Sequence, residues 1–131
     1  MNTKELGDKG EKLACEYLVN KGYKILGKNW KNSFGEIDII AKKRGWFLKR
    51  AIHFVEVKTS FAGNKTFFPE ERVDYKKQNR YKKLSEAWLV KNKIPENTPY
   101  QIDVIAIIGA DLPAQAGESP KIDFFENIVA G

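Results

Sequence analysis

Cysteine is almost missing from this sequence: Cys15 is the only one among 131 residues, so neither an internal disulfide nor a cysteine-ligated zinc site can form. A reducing cytoplasm is the expected home of such a chain. Long apolar runs are also lacking, which argues against a membrane-spanning helix, and residues 1–8 have no apolar stretch of the kind a signal peptide needs. No segment repeats, and the 5 prolines and 10 glycines never gather into a linker that would separate two domains. One domain is therefore expected, and 131 residues suffice to bury a respectable core. Negative charge is the scarcer sign: 17 acidic residues against 23 basic ones leave a formal net charge of +6. The isoelectric point near 9.3 fits a partner that carries phosphates, with an anionic membrane as the competing reading. Net charge speaks to association and not to fold.

What the sequence does contain is periodicity. Leu6, Leu13, Ala14, Tyr17 and Leu18 recur at helical spacing, with Gly7 and Gly10 on the same arc. That spacing predicts an amphipathic helix over 3–21, stopped by Gly22. Strand patterns follow at 23–30, 36–42 and 52–59, with a turn cluster at 32–35, giving a meander. Beyond an irregular segment containing Gly63, Asn64 and Pro69, the spacing of Tyr81, Leu84, Ala87, Trp88 and Lys91 predicts a second helix over 74–91, ended by Pro95 and Pro99. Residues 101–108 alternate and then run apolar, as a central strand covered on both faces does. A small-residue loop over 109–120 leads to an edge strand at 122–128. The fold class is α/β or α+β, with a mixed central sheet flanked by helices.

Two of these strands interrupt their apolar ladders with charge. Gly35-Glu36-Ile37-Asp38-Ile39-Ile40-Ala41 carries acids, and Phe54-Val55-Glu56-Val57-Lys58 carries an acid and a lysine. Alternation puts Glu56 and Lys58 on one face with Val55 and Val57 on the other, and sets Asp38 against Ile37 and Ile39 in the same way. If the two segments pair as a hairpin, one register brings Asp38 beside Glu56 and Lys58. Two converging carboxylates repel each other without a cation, and ionised Asp and Glu are hard oxygen donors of the kind that hold Mg²⁺ with phosphate and water. A metal site at Asp38 and Glu56 is therefore the expectation. The plainer alternative makes Asp38 a strand-end acid paired with a lysine, and Glu56 and Lys58 an exposed face whose ion pairs contribute little. Glu11 flanks the apolar arc next to Leu18 and could point into a sheet-edge cleft; alternatively Asp8-Lys9-Gly10-Glu11 is a capping box. His53 alternates away from Glu56 and, like Cys15, reads as structural.

Taken in order, Glu11 on an N-terminal helix, Gly35-Glu36-Ile37-Asp38 and Val55-Glu56-Val57-Lys58 resemble the motif set of the YraN-like family. That family belongs to the restriction-endonuclease-like, PD-(D/E)xK, nuclease superfamily and is related to Holliday junction resolvases. A bare acid followed by E-x-K is a weak signal, whereas the ordered set in its apolar context is much more specific. The resemblance spans about 7–108 and implies an αβββαβ core with one strand appended. It further implies an endonuclease acting on branched or structured DNA. One or two Mg²⁺ (or Mn²⁺) ions would be held by Asp38 and Glu56, helped by the Val57 carbonyl and by Glu11. Lys58 would position the attacking hydroxide or stabilise transition-state charge. Gln78, in Gln78-Asn79-Arg80-Tyr81, is similar to the glutamine that exonuclease-type members carry ahead of a tyrosine, with different spacing; an ordinary helix-edge glutamine is the alternative. Lys77 lies nearer the buried stripe and is an alternative contact. Ile37 stands where the superfamily has proline, as is common among resolvase-like members, and Thr59-Ser60 stand where a basic residue often follows.

Nucleic-acid contact has two signals of its own. Lys65, Arg72, Lys76, Lys77, Arg80, Lys82 and Lys83 are interleaved with Phe61, Phe67, Phe68, Tyr75 and Tyr81, a pattern that can track phosphates and stack on unpaired bases. A solvated helix face with core aromatics is the competing reading. Residues 42–50 set Trp46 and Phe47 among Lys42, Lys43, Arg44, Lys49 and Arg50, as a wedge or a dimer contact. A resolvase would need a homodimer to cut paired strands. Two rival functions stand beside the nuclease: a non-catalytic nucleic-acid-binding module of the same fold, and a basic adaptor for a protein or membrane surface. The intact Asp38, Glu56 and Lys58 count against the first.

Overall fold

The computed structural model describes residues 1–45, 51–63, 75–112 and 117–128. The chain starts in helix α1 (Thr3–Asn20), capped by Asn2, whose side-chain oxygen accepts the Glu5 N–H at 2.8 Å. The helix stops where Gly22 takes φ 94°, a conformation that strains any residue with a Cβ. With the cap at Asn2, Asp8 lies inside the helix and pairs with Lys4 at 2.9 Å, so the capping-box alternative for Glu11 falls away.

Strands β1 (Tyr23–Asn32), β2 (Gly35–Lys43) and β3 (Ile52–Ser60) follow, then helix α2 (Tyr75–Lys91) and strands β4 (Tyr100–Ile108) and β5 (Lys121–Phe125). The five strands form one sheet in chain order. β1, β2 and β3 make an antiparallel meander, β3 and β4 are parallel, and β5 returns antiparallel on β4. This is a mixed α+β fold with a mixed sheet and a helix packed on each side of it. The expected edge strand is shorter at its end than 122–128. Asn127 turns to φ 52°, giving its N–H to Asp103 Oδ1 at 2.8 Å, and Ile128 N–H bonds back to the Ile102 carbonyl. Among the described residues no helix is long and apolar enough to cross a membrane.

The sheet has an apolar core on either face because β2, β3 and β4 are apolar at successive positions. Leu6, Ala14 and Leu18 of α1 pack on Ile39, Ala41, Val55, Ile105 and Ile107. Tyr81, Leu84 and Trp88 of α2 pack on Ile40, Ile52, Phe54 and Ile102. Each Leu, Ile, Val or Phe among them contributes about 1.5–3 kcal/mol when fully buried. At Gly10 the helix lies so close to β3 that a Cβ would run into the Thr59 side chain. That approach sets the next residue, Glu11, beside the sheet.

Between β3 and β4 a polar group is buried: His53 Nδ1 lies 2.6 Å from Asp103 Oδ2, while Asp103 Oδ1 accepts from Gln101 Nε2 at 2.9 Å and from Asn127 N–H. Asp103 is fully buried. Asp103→Ala strands three donors at once and is expected to lower stability by about 3 kcal/mol in urea denaturation. Asp103→Asn, which keeps one acceptor oxygen, is expected to lose less.

Candidate active site

The β2–β3 ladder runs from Lys42 opposite Ile52 to Ile39 opposite Val55 and ends there. Continued by one residue, that register would oppose Asp38 to Glu56. Instead of prolonging the ladder, Asp38 Oδ2 accepts the Val57 N–H at 2.8 Å, so a carboxylate occupies the gap between diverging strands. Side-chain alternation breaks at the same point. Ile37 packs with Ile40 in the α2-side core while Ile39 packs with Ala41 in the α1-side core. The expectation that Ile37 and Ile39 share one face opposite Asp38 is thus corrected, and the irregularity has a visible partner in β1. Pairing there skips from Lys28–Ile39 to Trp30–Ile37, and the intervening Asn29 sits at φ 50°.

Glu56 is buried, only 7% exposed, which removes the plainer reading of an exposed ion-pair face. Its Oε1 takes two ammonium groups, Lys77 Nζ at 2.6 Å and Lys58 Nζ at 3.3 Å. Its Oε2 is buried without a hydrogen-bond partner among the described residues. Burial lowers the Lys58 pKa, and the neighbouring Lys77 lowers it further. Burial works against the charge on Lys77 too, but its contacts with Glu56 and Lys58 and the charge of Asp38 outweigh that and hold it above an ordinary lysine. Burial also pushes the Asp38 carboxyl up to about 7; the charges of Glu11, Glu56 and Glu36 add to the rise, and the Val57 hydrogen bond opposes it.

Glu11 is tied down from β1. The Asn29 amide donates to Glu11 Oε2 and to Glu36 Oε1, both at 3.0 Å, bridging helix and hairpin. Glu11 is half-buried and lines a cleft of about 260 Å³ with Lys12, Cys15, Lys28 and Asn29. Glu11, Asp38 and Glu56 do not gather their oxygens within a common 4.8 Å. The charges of Glu11, Glu56 and Glu36 all bear on Asp38, so these four carboxylates are the groups that could supply ligands to a cation. Val57 meets Asp38 through its N–H.

The remaining candidates are scattered. Gln78 is half-buried on α2 beside Lys77, and Lys76 and Arg80 are exposed on that helix. Arg80 borders the start of β2, its Cδ lying 3.5 Å from where a Cβ on Gly35 would stand. Tyr81 is buried and its hydroxyl reaches the Val55 carbonyl at 3.3 Å, so its ring cannot stack on a base; burial lifts its phenol well above the usual range. Lys43 covers the Tyr23 ring at 5.7 Å and the Arg44 N–H bonds the Gly22 carbonyl, at the end of β2 away from Asp38. Lys65, Arg72, Trp46, Phe47, Phe67 and Phe68, like the expected start of the second helix at 74, lie outside the described residues.

A second group, His53, Asp103 and Glu126, brings candidate ligand atoms within 4.8 Å of one another. The oxygens of Asp103 already serve His53, Gln101 and Asn127, so the group reads as a strut between strands. Tyr23 stacks edge-on to His53 at 5.0 Å, and burial followed by the charges of Glu126 and Asp103 drives its hydroxyl to about 12. Sequence reasoning missed Asn29 and gave Lys77 only a secondary place. Glu36 was visible beside Asp38, but an isolated asparagine in a strand announces neither its positive φ nor its two carboxylate partners.

A family model described as uncharacterised protein family UPF0102 matches residues 10–107. A UPF0102 protein of Clostridioides difficile (strain 630) is 45% identical over 107 residues, covering 82% of this chain and 88% of the relative. One of Campylobacter lari is 41% identical over 106 residues, 81% of this chain and 86% of the relative. One of Thermodesulfovibrio yellowstonii is 45% identical over 103 residues, 79% and 85% respectively.

Proposed function

The chain belongs to the uncharacterised protein family UPF0102, and from that premise we propose that it is a metal-dependent phosphodiesterase, an endonuclease of the restriction-endonuclease-like type acting on branched or structured DNA. The observation that carries the reading is the buried Oε2 of Glu56, which has no hydrogen-bond partner among the described residues, beside the strand gap that holds Asp38. A carboxylate oxygen sealed from water without a donor is costly, and a divalent cation shared with Asp38 would satisfy it. The donor set, two acids with lysines alongside, suits Mg²⁺ or Mn²⁺ and not a soft metal.

When bound, such an ion would lower the pKa of a water and offset charge developing at phosphorus. The protein's own groups supply the rest. Lys58, whose pKa burial lowers, would take a proton from that water in its neutral amine form, or as ammonium would hold the attacking hydroxide in line. Lys77, firmly charged, can leave Glu56 and meet a phosphate oxygen. Glu11, steadied by Asn29, would add its charge at this centre. The net charge of +6 favours encounter with a polyanion.

Cleavage of labelled linear, flapped and four-way-junction DNA with Mg²⁺ or Mn²⁺ tests the proposal, comparing wild type with Asp38→Ala and Lys58→Ala. Metal-dependent cutting that disappears in both variants is the expected result. Retained DNA binding with no cutting by wild type would favour the non-catalytic binder, and a junction-specific cut would call for a dimer on the DNA.

A further inference from the structure

Among the described side chains the only exposed aromatic rings are Phe34, 53% exposed, and Phe61, 40% exposed. Single exposed apolar residues are ordinary on a protein surface. Their placement is what sets this pair apart. Phe34 immediately precedes β2 and Phe61 immediately follows β3. Because β2 and β3 are antiparallel, both rings stand at the same end of the sheet. That is the end where these strands diverge around Asp38 and Glu56.

Each ring is carried on a pinned segment. The Phe34 N–H donates to Asn32 Oδ1 at 2.8 Å, and Asn32 pairs with Gly35 to close the β1–β2 turn. Next to Phe61, the Ala62 N–H donates to Asp111 Oδ1 at 2.9 Å. Cations attend the first ring: Lys83 Nζ lies 5.9 Å from the Phe34 ring centroid, and Arg80 borders Gly35. A held ring with an ammonium over one face can stack a base on the other while that cation meets an adjoining phosphate.

We propose that Phe34 and Phe61 form the two sides of a mouth that takes unpaired bases next to the scissile phosphate, so that this protein selects DNA with single-stranded nucleotides at the cleavage position. The placement of the phosphate rests on the nuclease reading; the stacking itself does not. A base inside a continuous duplex shows no free face to either ring, whereas a flap, a gap or a junction centre does. Stacking also reads bases without regard to their identity, since every base has a π-face.

The test uses the full chain in EDTA, where no cutting is needed. Fluorescence anisotropy would compare an oligo-dT strand, the same strand with abasic positions and a blunt duplex. Phe34→Ala and Phe61→Ala are each expected to weaken oligo-dT binding by about 5-fold to 100-fold. Duplex and abasic affinities should stay put, and Phe34→Trp should bind like wild type. Both side chains are exposed, so circular dichroism should show unchanged folding. Oligo-dT affinity unaltered in the double alanine variant overturns the inference, as does an equal loss on all three ligands, which would mean contact with backbone and not bases. A protein that stacks oligo-dT in this way yet never cleaves would fail the nuclease proposal and the placement of the scissile phosphate, and keep Phe34 and Phe61 as a mouth for unpaired bases.

Discussion

In the metal-free protein, raising the pH from about 4 to about 8 is expected to remove about 4 kcal/mol of native-state stability through Asp38 alone, and Asp38→Asn to abolish that loss. The carboxyl rises from 3.8 to about 7 on folding, chiefly by burial. A folded-state pKa above the unfolded one means that the native protein binds this proton more tightly. The stabilisation is complete below 3.8 and drains away as the pH passes through about 7. Urea denaturation of wild type and Asp38→Asn across that range, in EDTA, measures it as the difference between two curves. Parallel curves would show that Asp38 feels no such field. Repeating the titration with Mn²⁺ should reverse the slope, because a divalent cation selects the ionised carboxylates and releases the proton. The variant should gain nothing from the metal, since Glu56 then lacks its partner. Neutralising this buried acid would thus stabilise the fold while removing the cleavage proposed for it.

On the proposed nuclease function, Lys58→Ala is expected to lower the rate of DNA cleavage by about 10²-fold to 10³-fold. Lys58→Arg should not restore it, because a guanidinium keeps its charge where a weakened ammonium can release a proton. Lys77→Ala separates the two lysines. Both contact Glu56 Oε1, and Lys77 is one of the groups holding the Lys58 pKa down. Its removal should therefore shift the rising limb of the pH–rate profile to higher pH, while Lys58→Ala removes the component of that limb due to Lys58. An unchanged profile in Lys77→Ala would reduce Lys77 to a tether for Glu56.

Much of the frame was legible in the residues. The helical spacing of Leu6, Ala14 and Leu18 and that of Tyr81, Leu84 and Trp88 gave both helices, and the alternation that passes into an apolar run from Val104 to Ile108 gave a strand covered on both faces. Periodicity reports burial, so it succeeds where burial is regular. It failed at Asp38, because the break in alternation there comes from a side chain that competes with the backbone for the Val57 N–H. Tyr81 looked like a stacking ring for the opposite reason: its basic neighbours are local in sequence, while the β3 carbonyl that claims its hydroxyl is not. The buried Asp103, between apolar neighbours, gave no sign of the three donors that reach it.

By itself the sequence determined the chemical inventory of this protein: one cysteine, a basic balance, an apolar pattern sufficient for two cores, and acids with a lysine inside strands that should be apolar. Tertiary structure alone decided which of those charges meet. Asn29 reaching Glu11 on the helix and Lys77 of α2 joining Lys58 at Glu56 are contacts between separate elements, and only the sheet's topology brings Phe34 and Phe61 to one end. Local propensity acts over a few neighbouring residues, whereas burial and Coulomb interaction act through space, and only the packed sheet supplies the distances on which they depend.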